Sequence, residues 1–250
     1  MEVYFKLSEK AIKIDHSLTL NQINNDFGYL IDKNLIDELG LKLQIVDKGP
    51  NGSKPMYIHG YVITSALYKY IQENSSLDFI NILETGTARG FSSVIMSMIL
   101  KQNNKKGIVH TFDLVSHDKP EFDNCLKAKQ LQKKLSRKQI LEEWNDLVNE
   151  YIVFHTGDSK KEMNKLNLDR IHFAFLDGHH DYSYVMFELE YVSSRQIYGD
   201  IIICDDYTSS QFPTIVKAID DFVKIGTYTF KVYYGNDGTK KRGYVCLVKK

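Results

Sequence analysis

Asp177, Asp205 and Asp206 are the residues with the most chemistry in this chain. Asp177 ends the run Ile171-His172-Phe173-Ala174-Phe175-Leu176 and is followed by Gly178-His179-His180. Asp205 and Asp206 end the run Ile201-Ile202-Ile203-Cys204. Short apolar runs rich in β-branched residues read as strands buried on both faces of a parallel sheet. Ligands of open α/β sheets bind just beyond the carboxyl ends of such strands. Three carboxylates gathered there repel one another, so a positive partner is required. An oxygen-liganded divalent cation is the simplest one, which makes Asp177, Asp205 and Asp206 candidate metal ligands.

A second group surrounds the run Phe79 to Glu84. Glu84-Thr85-Gly86-Thr87-Ala88-Arg89-Gly90-Phe91-Ser92 follows a strand and opens a helix. Gly86 and Gly90 permit a tight turn and close approach of a ligand to the backbone, and the helix start favours an anionic group. It is not the G-x-G-x-x-G dinucleotide fingerprint, because Ala88 occupies the place of a glycine. Asp113 ends the next strand and is placed to accept from ribose hydroxyls. Asp158 and Ser159 follow the third strand. Asp158 suits an adenine amino group or, equally, the cap of the helix behind it.

These residues must be carried by regular elements. Runs at 79–84, 107–113, 151–155, 171–177, 200–205, 228–234 and 243–248 read as strands. Ser92–Leu100, the stripe of Tyr184, Val185, Leu189 and Val192, and the stripe of Ile215, Ile219, Phe222 and Val223 after Pro213 read as helices. Strand–helix alternation predicts βαβ units and a parallel sheet. The last two strands have no helix between them, and Asn236-Asp237-Gly238 predicts a hairpin. Apolar spacing in Leu30–Leu39 and Ile63–Ile71 predicts helices in an N-terminal extension over 1–75, with a turn at Lys48–Ser53. The main domain then spans 76–250. Residues 116–150 form a charged, largely helical insertion, either a surface helix pair or a lid over the carboxyl edge.

Taken together, residues 79–248 resemble a class I S-adenosylmethionine-dependent methyltransferase. Glu84-x-Gly86-x-x-x-Gly90-x-Ser92 matches the first motif, Asp113 the ribose acid, and the terminal hairpin the seven-stranded Rossmann-like sheet. Leu176-Asp177-Gly178-His179-His180-Asp181-Tyr182 with Asp205-Asp206-Tyr207 is similar to the metal-dependent O-methyltransferase branch, and within it to the macrocin type, which acts on sugars of natural products. The resemblance implies an α/β fold with helices on both faces of a mostly parallel sheet. It implies S-adenosylmethionine held by Glu84, Gly86, Thr87, Gly90, Ser92, Asp113, Asp158 and Ser159. It also implies Mg²⁺ or a similar ion on Asp177, Asp205 and Asp206, and a small-molecule acceptor, a sugar or glycosylated metabolite.

The ion would lower the pKa of the acceptor hydroxyl. His180 stands where the catechol-type enzymes carry a basic lysine, and its intrinsic pKa suits a general base. A helix cap or a supporting partner is the alternative for His180, and His179 or Asp181 are rival bases. Tyr207, Thr208 and Gln211, with Tyr182 and Tyr184, are candidates for the acceptor wall.

Composition narrows the classes. Lys plus Arg equals Asp plus Glu at 32 each, so no electrostatic case exists for a nucleic-acid or membrane partner. Three widely spaced cysteines form neither a disulfide framework nor a zinc knuckle. The start of the chain lacks a signal-peptide core, and no apolar run reaches the roughly 20 residues of a membrane span, so a cytoplasmic setting is expected. The N-terminal extension offers a surface for self-association. Two rival readings remain: a metal-independent methyltransferase acting on a phenolic or polyketide hydroxyl with His180 alone as base, and a nucleotide-binding Rossmann-like protein without catalysis.

Overall fold

The computed structural model describes residues 13–43, 58–236 and 241–250. Seven strands form one sheet: β1 (Phe79–Thr85), β2 (Lys106–Asp113), β3 (Ile152–Thr156), β4 (Phe173–Leu176), β5 (Ile201–Cys204), β6 (Tyr228–Asn236) and β7 (Lys241–Lys249). Their order is β3-β2-β1-β4-β5-β7-β6. The first five are parallel; β7 runs antiparallel to both β5 and β6. This is the doubly wound sheet with a terminal hairpin that the strand–helix alternation predicts. The chain builds outward from β1 through β2 to β3, then returns to place β4 on the other side of β1. The crevice of an open α/β sheet lies at that reversal.

Side chains of the central strands alternate between two cores. Phe173, Phe175, Ile201 and Ile203 pack on one face. Ala174, Leu176, Ile202 and Cys204 pack on the other. Burial on both faces explains why these runs read as continuously apolar in the sequence. The first face is covered by α1 (Ser17–Phe27), α2 (Lys33–Leu43), α3 (Ile58–Glu73), α4 (Phe91–Gln102) and α7 (Asn145–Tyr151). The second is covered by α8 (Ser159–Met163), α9 (Tyr182–Ser193) and α10 (Pro213–Val223), with Pro213 in the first helical turn.

The segment before β1 joins the main core. Tyr70 of α3 donates to Asp200 Oδ1 at 2.8 Å, and the Arg170 guanidinium meets the same oxygen at 2.7 Å. Tyr233 of β6 donates to Asp26 of α1 at 3.0 Å. The insertion is helical but in short pieces. It is broken into α5 (Leu126–Leu131), α6 (Arg137–Ile140), a 3₁₀ turn at Glu142–Trp144 and α7, with an isolated bridge between Phe122 and Leu135. Its apolar residues are too irregularly spaced to present one helical stripe. Asp177 and Asp205 fall just past the strand ends rather than within them. The turn at Lys48–Ser53 and the hairpin residues Asp237 and Gly238 lie outside the described residues. Among the described residues no helix is long and apolar enough to cross a membrane.

Candidate active site

The turn after β1 touches the end of β4. Gly86 has φ +85°, and a Cβ there would meet the Asp177 carbonyl oxygen at 1.9 Å. Only glycine allows this backbone approach. The Asp177 N–H donates to the Thr85 carbonyl at 3.1 Å, which fixes the two strand ends in register. Behind the turn, buried Glu84 accepts from Ser92 and Ser93, tying α4 to β1. Burial pushes the Glu84 carboxyl up, and the serine hydroxyls oppose that shift.

Beside this turn lies a cleft of about 380 Å³. Its walls include Gly86, Asp113, Asp158 and Ser159 from the sequence-derived cofactor set, together with Asp177, Gly178 and Tyr184. Glu84, Thr87, Gly90 and Ser92 from the same set do not line it. They shape the turn behind it: Thr87 Oγ1 bonds Thr111 Oγ1 at 2.5 Å, and Gly90, at φ +93°, lies against Leu141 of the insertion.

Asp113 is strongly anchored. Its oxygens accept from the Ala88 and Val115 N–H groups at 2.7 Å each. Arg137 Nη2 lies 3.0 Å from the same carboxylate. Arg137 is buried, donates to the carbonyls of Ala88 at 2.7 Å and Val115 at 3.1 Å, and sits between the rings of Phe122 and Phe154. A carboxylate offers about four acceptor sites, so capacity for a ligand hydroxyl remains. Asp158 takes the cap role of its two expected ones, and it also lines the cleft. It caps α8 by accepting from Lys161 N–H at 3.2 Å, and its other oxygen accepts from Tyr184 at 2.7 Å at the cleft wall.

The acidic group lies at the same sheet edge. Ligating atoms of Asp177, His180 and Asp206 fall within 4.8 Å of one another. Asp205 is not part of that group; its Oδ1 accepts from the Asp206 N–H at 2.5 Å. Asp206 adopts the left-handed region at φ +60°, an uncommon conformation for a side chain other than glycine. Its oxygens meet Arg242 Nη1 at 2.9 Å and His180 Nε2 at 3.3 Å.

Burial, then the neighbouring Asp205 and Asp206, raise the Asp177 carboxyl well above the usual range. Burial and Asp206 push Asp205 up to about 7. Arg242 opposes all three shifts. Part of the compensating charge expected from the sequence is therefore supplied by the chain itself. Fully ionised, as a bound cation would favour, the three carboxylates with one guanidinium would leave about two negative charges, and the donors are hard oxygens with one imidazole. That set fits a divalent cation.

The neighbours of the site sort in a similar way. His180 faces the acidic group and packs against the edge of Phe212. His179 turns instead to Tyr184, stacking at 4.3 Å, and accepts from the Asp181 N–H. The hydroxyl of Tyr207 is engaged by Asp220, and that of Tyr182 by Asp221. Thr208 and Gln211 bond to the backbone of Lys241 and Gly243 at the turn end of the hairpin. The hydrogen bonds of Tyr207, Thr208 and Gln211 tie the segment after β5 to α10 and β7, and that of Tyr182 ties α9 to α10.

Three important residues escaped the sequence reading. Arg137 sits in a charged segment and carries no periodic signal. Arg242 lies next to a hairpin turn, where basic residues are common. Glu188 was legible: it falls on the apolar stripe of α9, between Val185, Leu189 and Val192. It is buried and accepts from Thr85 at 2.9 Å and Ser159 at 2.8 Å.

A family profile described as a methyltransferase domain matches residues 83–207, half of the chain. A comparison of the sequence with curated proteins finds no match. Solved structures share the fold. An O-methyltransferase from Bacillus cereus in complex with SAH is 16% identical, with TM-score 0.52, 95% of this chain and 93% of that chain covered. The O-methyltransferase NovP is 17% identical, with TM-score 0.59 and 94% and 100% covered. The O-methyltransferase TomG from Streptomyces achromogenes, involved in tomaymycin synthesis and solved with SAM, is 12% identical, with TM-score 0.59 and 95% and 100% covered.

Proposed function

The chain belongs to the methyltransferase-domain family, and from that premise we propose that it moves a methyl group from S-adenosylmethionine to a hydroxyl oxygen of a small molecule, assisted by a divalent cation such as Mg²⁺. The observation that carries this reading is the shared position of Asp177. It lines the cleft beside Gly86 and also belongs to the acidic group with His180 and Asp206. A donor in the cleft and an acceptor at the acidic group would therefore meet at one strand end.

Residue roles follow from the contacts. Asp113 accepts from ribose hydroxyls while its backbone bonds and Arg137 hold it in place. Gly86 lines the donor cleft and lets the Asp177 carbonyl pack against the turn. Asp177 and Asp206 supply the oxygen ligands of the cation, and Asp205 pins the Asp206 backbone while adding charge. A bound cation lowers the pKa of a ligated hydroxyl and orients it. His180, held by Asp206, takes the hydroxyl proton. The same proximity supports a second role for His180, as a nitrogen ligand of the cation. Juxtaposing the reactants supplies much of the rate. For the acceptor we propose the hydroxyl of a sugar or glycosylated metabolite, supported by the sequence likeness of the Asp177 and Asp205-Asp206 motifs to the macrocin type.

Calorimetry tests the reading. S-adenosylmethionine and S-adenosylhomocysteine should bind and NAD should not, and methyl transfer to a panel of glycosides should stop on chelation and return with Mg²⁺. Turnover that survives chelation refutes the metal assignment. Absence of adenosyl binding refutes the donor. His180→Ala separates its two roles: unchanged cation affinity with loss of one limb of the pH–rate profile marks a base, and weakened cation affinity marks a ligand.

A further inference from the structure

Arg242 lies at the turn end of the terminal hairpin, opposite Gly235, and is directed into the acidic group. Its guanidinium meets Asp206 Oδ1 at 2.9 Å and lies 6.0 Å from the centre of the Phe212 ring. Asp206 is buried, so this is not a solvent-exposed surface pair. The same carboxylate is a proposed cation ligand, and its other oxygen faces His180. A guanidinium and a divalent ion therefore draw on one carboxylate from within one small space. Like charges that close repel, and with Asp206 buried but Arg242 34% exposed the repulsion is only partly screened by water. Without any cation, however, Asp177, Asp205 and Asp206 would repel one another, with Asp206 already in the left-handed region.

We propose that Arg242 is a built-in counter-ion of the acidic group, which holds the Asp205-Asp206 turn in shape before the metal arrives and weakens metal binding by competing for Asp206. The inference rests on the metal-dependent reading above and goes beyond it. It assigns opposite signs to one residue: Arg242 stabilises the metal-free fold and lowers cation affinity. A residue that only supported the turn would raise both, so its loss would lower both.

The test is Mn²⁺ titration of the metal-free, full-length protein, following the free ion by paramagnetic resonance, with thermal melting of the same samples. Arg242→Gln should bind Mn²⁺ about tenfold or more tighter than the parent, while its metal-free form melts at a lower temperature. Arg242→Lys, which keeps the charge, should stay close to the parent affinity. If the glutamine variant does not fold, Arg242→Met, which keeps the stem beside Phe212, replaces it. Mn²⁺ binding by the parent with equal or weaker binding by the folded charge-free variant overturns this inference alone. No Mn²⁺ binding by any of the proteins overturns it together with the metal-dependent reading.

Discussion

Replacing Glu188 by glutamine should change how stability depends on pH, by an amount the structure sets. Glu188 is 2% exposed, on α9 beneath the cleft. Burial raises its carboxyl from the usual 4.5 to about 7, against the opposing hydrogen bonds from Ser159 and Thr85 and the charge of Lys160. The sign follows from proton counting. Between pH 4.5 and about 7 the folded protein holds a proton that the unfolded chain has released. Stability is therefore greatest below the unfolded value and falls as pH rises through the folded one. At about 1.4 kcal/mol per tenfold change in proton affinity, the contribution is on the order of 3 kcal/mol.

Glutamine matches the protonated acid in shape and keeps an acceptor for Thr85 or Ser159, whose hydroxyls reorient freely. The two proteins should be about equally stable at pH 4.5, with Glu188→Gln gaining steadily and leading by about 3 kcal/mol near pH 8. Asp177, Asp205 and Asp206 shift in the same direction but are present in both proteins, so they cancel in the difference. Urea unfolding at half-unit steps of pH, in chelator, measures it. A difference that stays constant from pH 4.5 to 8 refutes the assignment of a proton to Glu188.

Three further outcomes are expected. Arg137→Gln removes the buried partner of Asp113 and should cost about 3–5 kcal/mol in stability, with S-adenosylhomocysteine affinity falling about tenfold in calorimetry because Asp113 loses its anchor. Gly86→Ala drives a Cβ into the Asp177 carbonyl at a backbone angle side chains avoid, and should cost about 3 kcal/mol or more by urea midpoint. Asp200→Asn leaves Arg170 and Tyr70 without their shared carboxylate; a loss of about 2 kcal/mol is expected, read by thermal unfolding, because Arg170 remains partly in water.

Much of this protein was determined by local sequence. Strands buried on both faces announce themselves as continuous apolar runs, so β4 and β5 and the aspartates that follow them were readable residue by residue. The Gly86 turn was readable because only glycine meets its backbone demand, and Pro213 marked a helix start. What stayed hidden depends on contacts between distant segments. Arg137 lies 24 residues beyond Asp113, and Arg242 lies 36 beyond Asp206; a charged side chain in an irregular segment carries no periodicity to show which carboxylate it will meet. The insertion likewise packs by its tertiary environment rather than by a helical stripe, so its broken form could not be read from spacing. Three carboxylates at one sheet edge could be foreseen from strand ends alone. That part of their neutralising charge comes from the chain's own hairpin was decided only when β7 folded back beside β5, because charge pairing follows distance in space and not order along the chain.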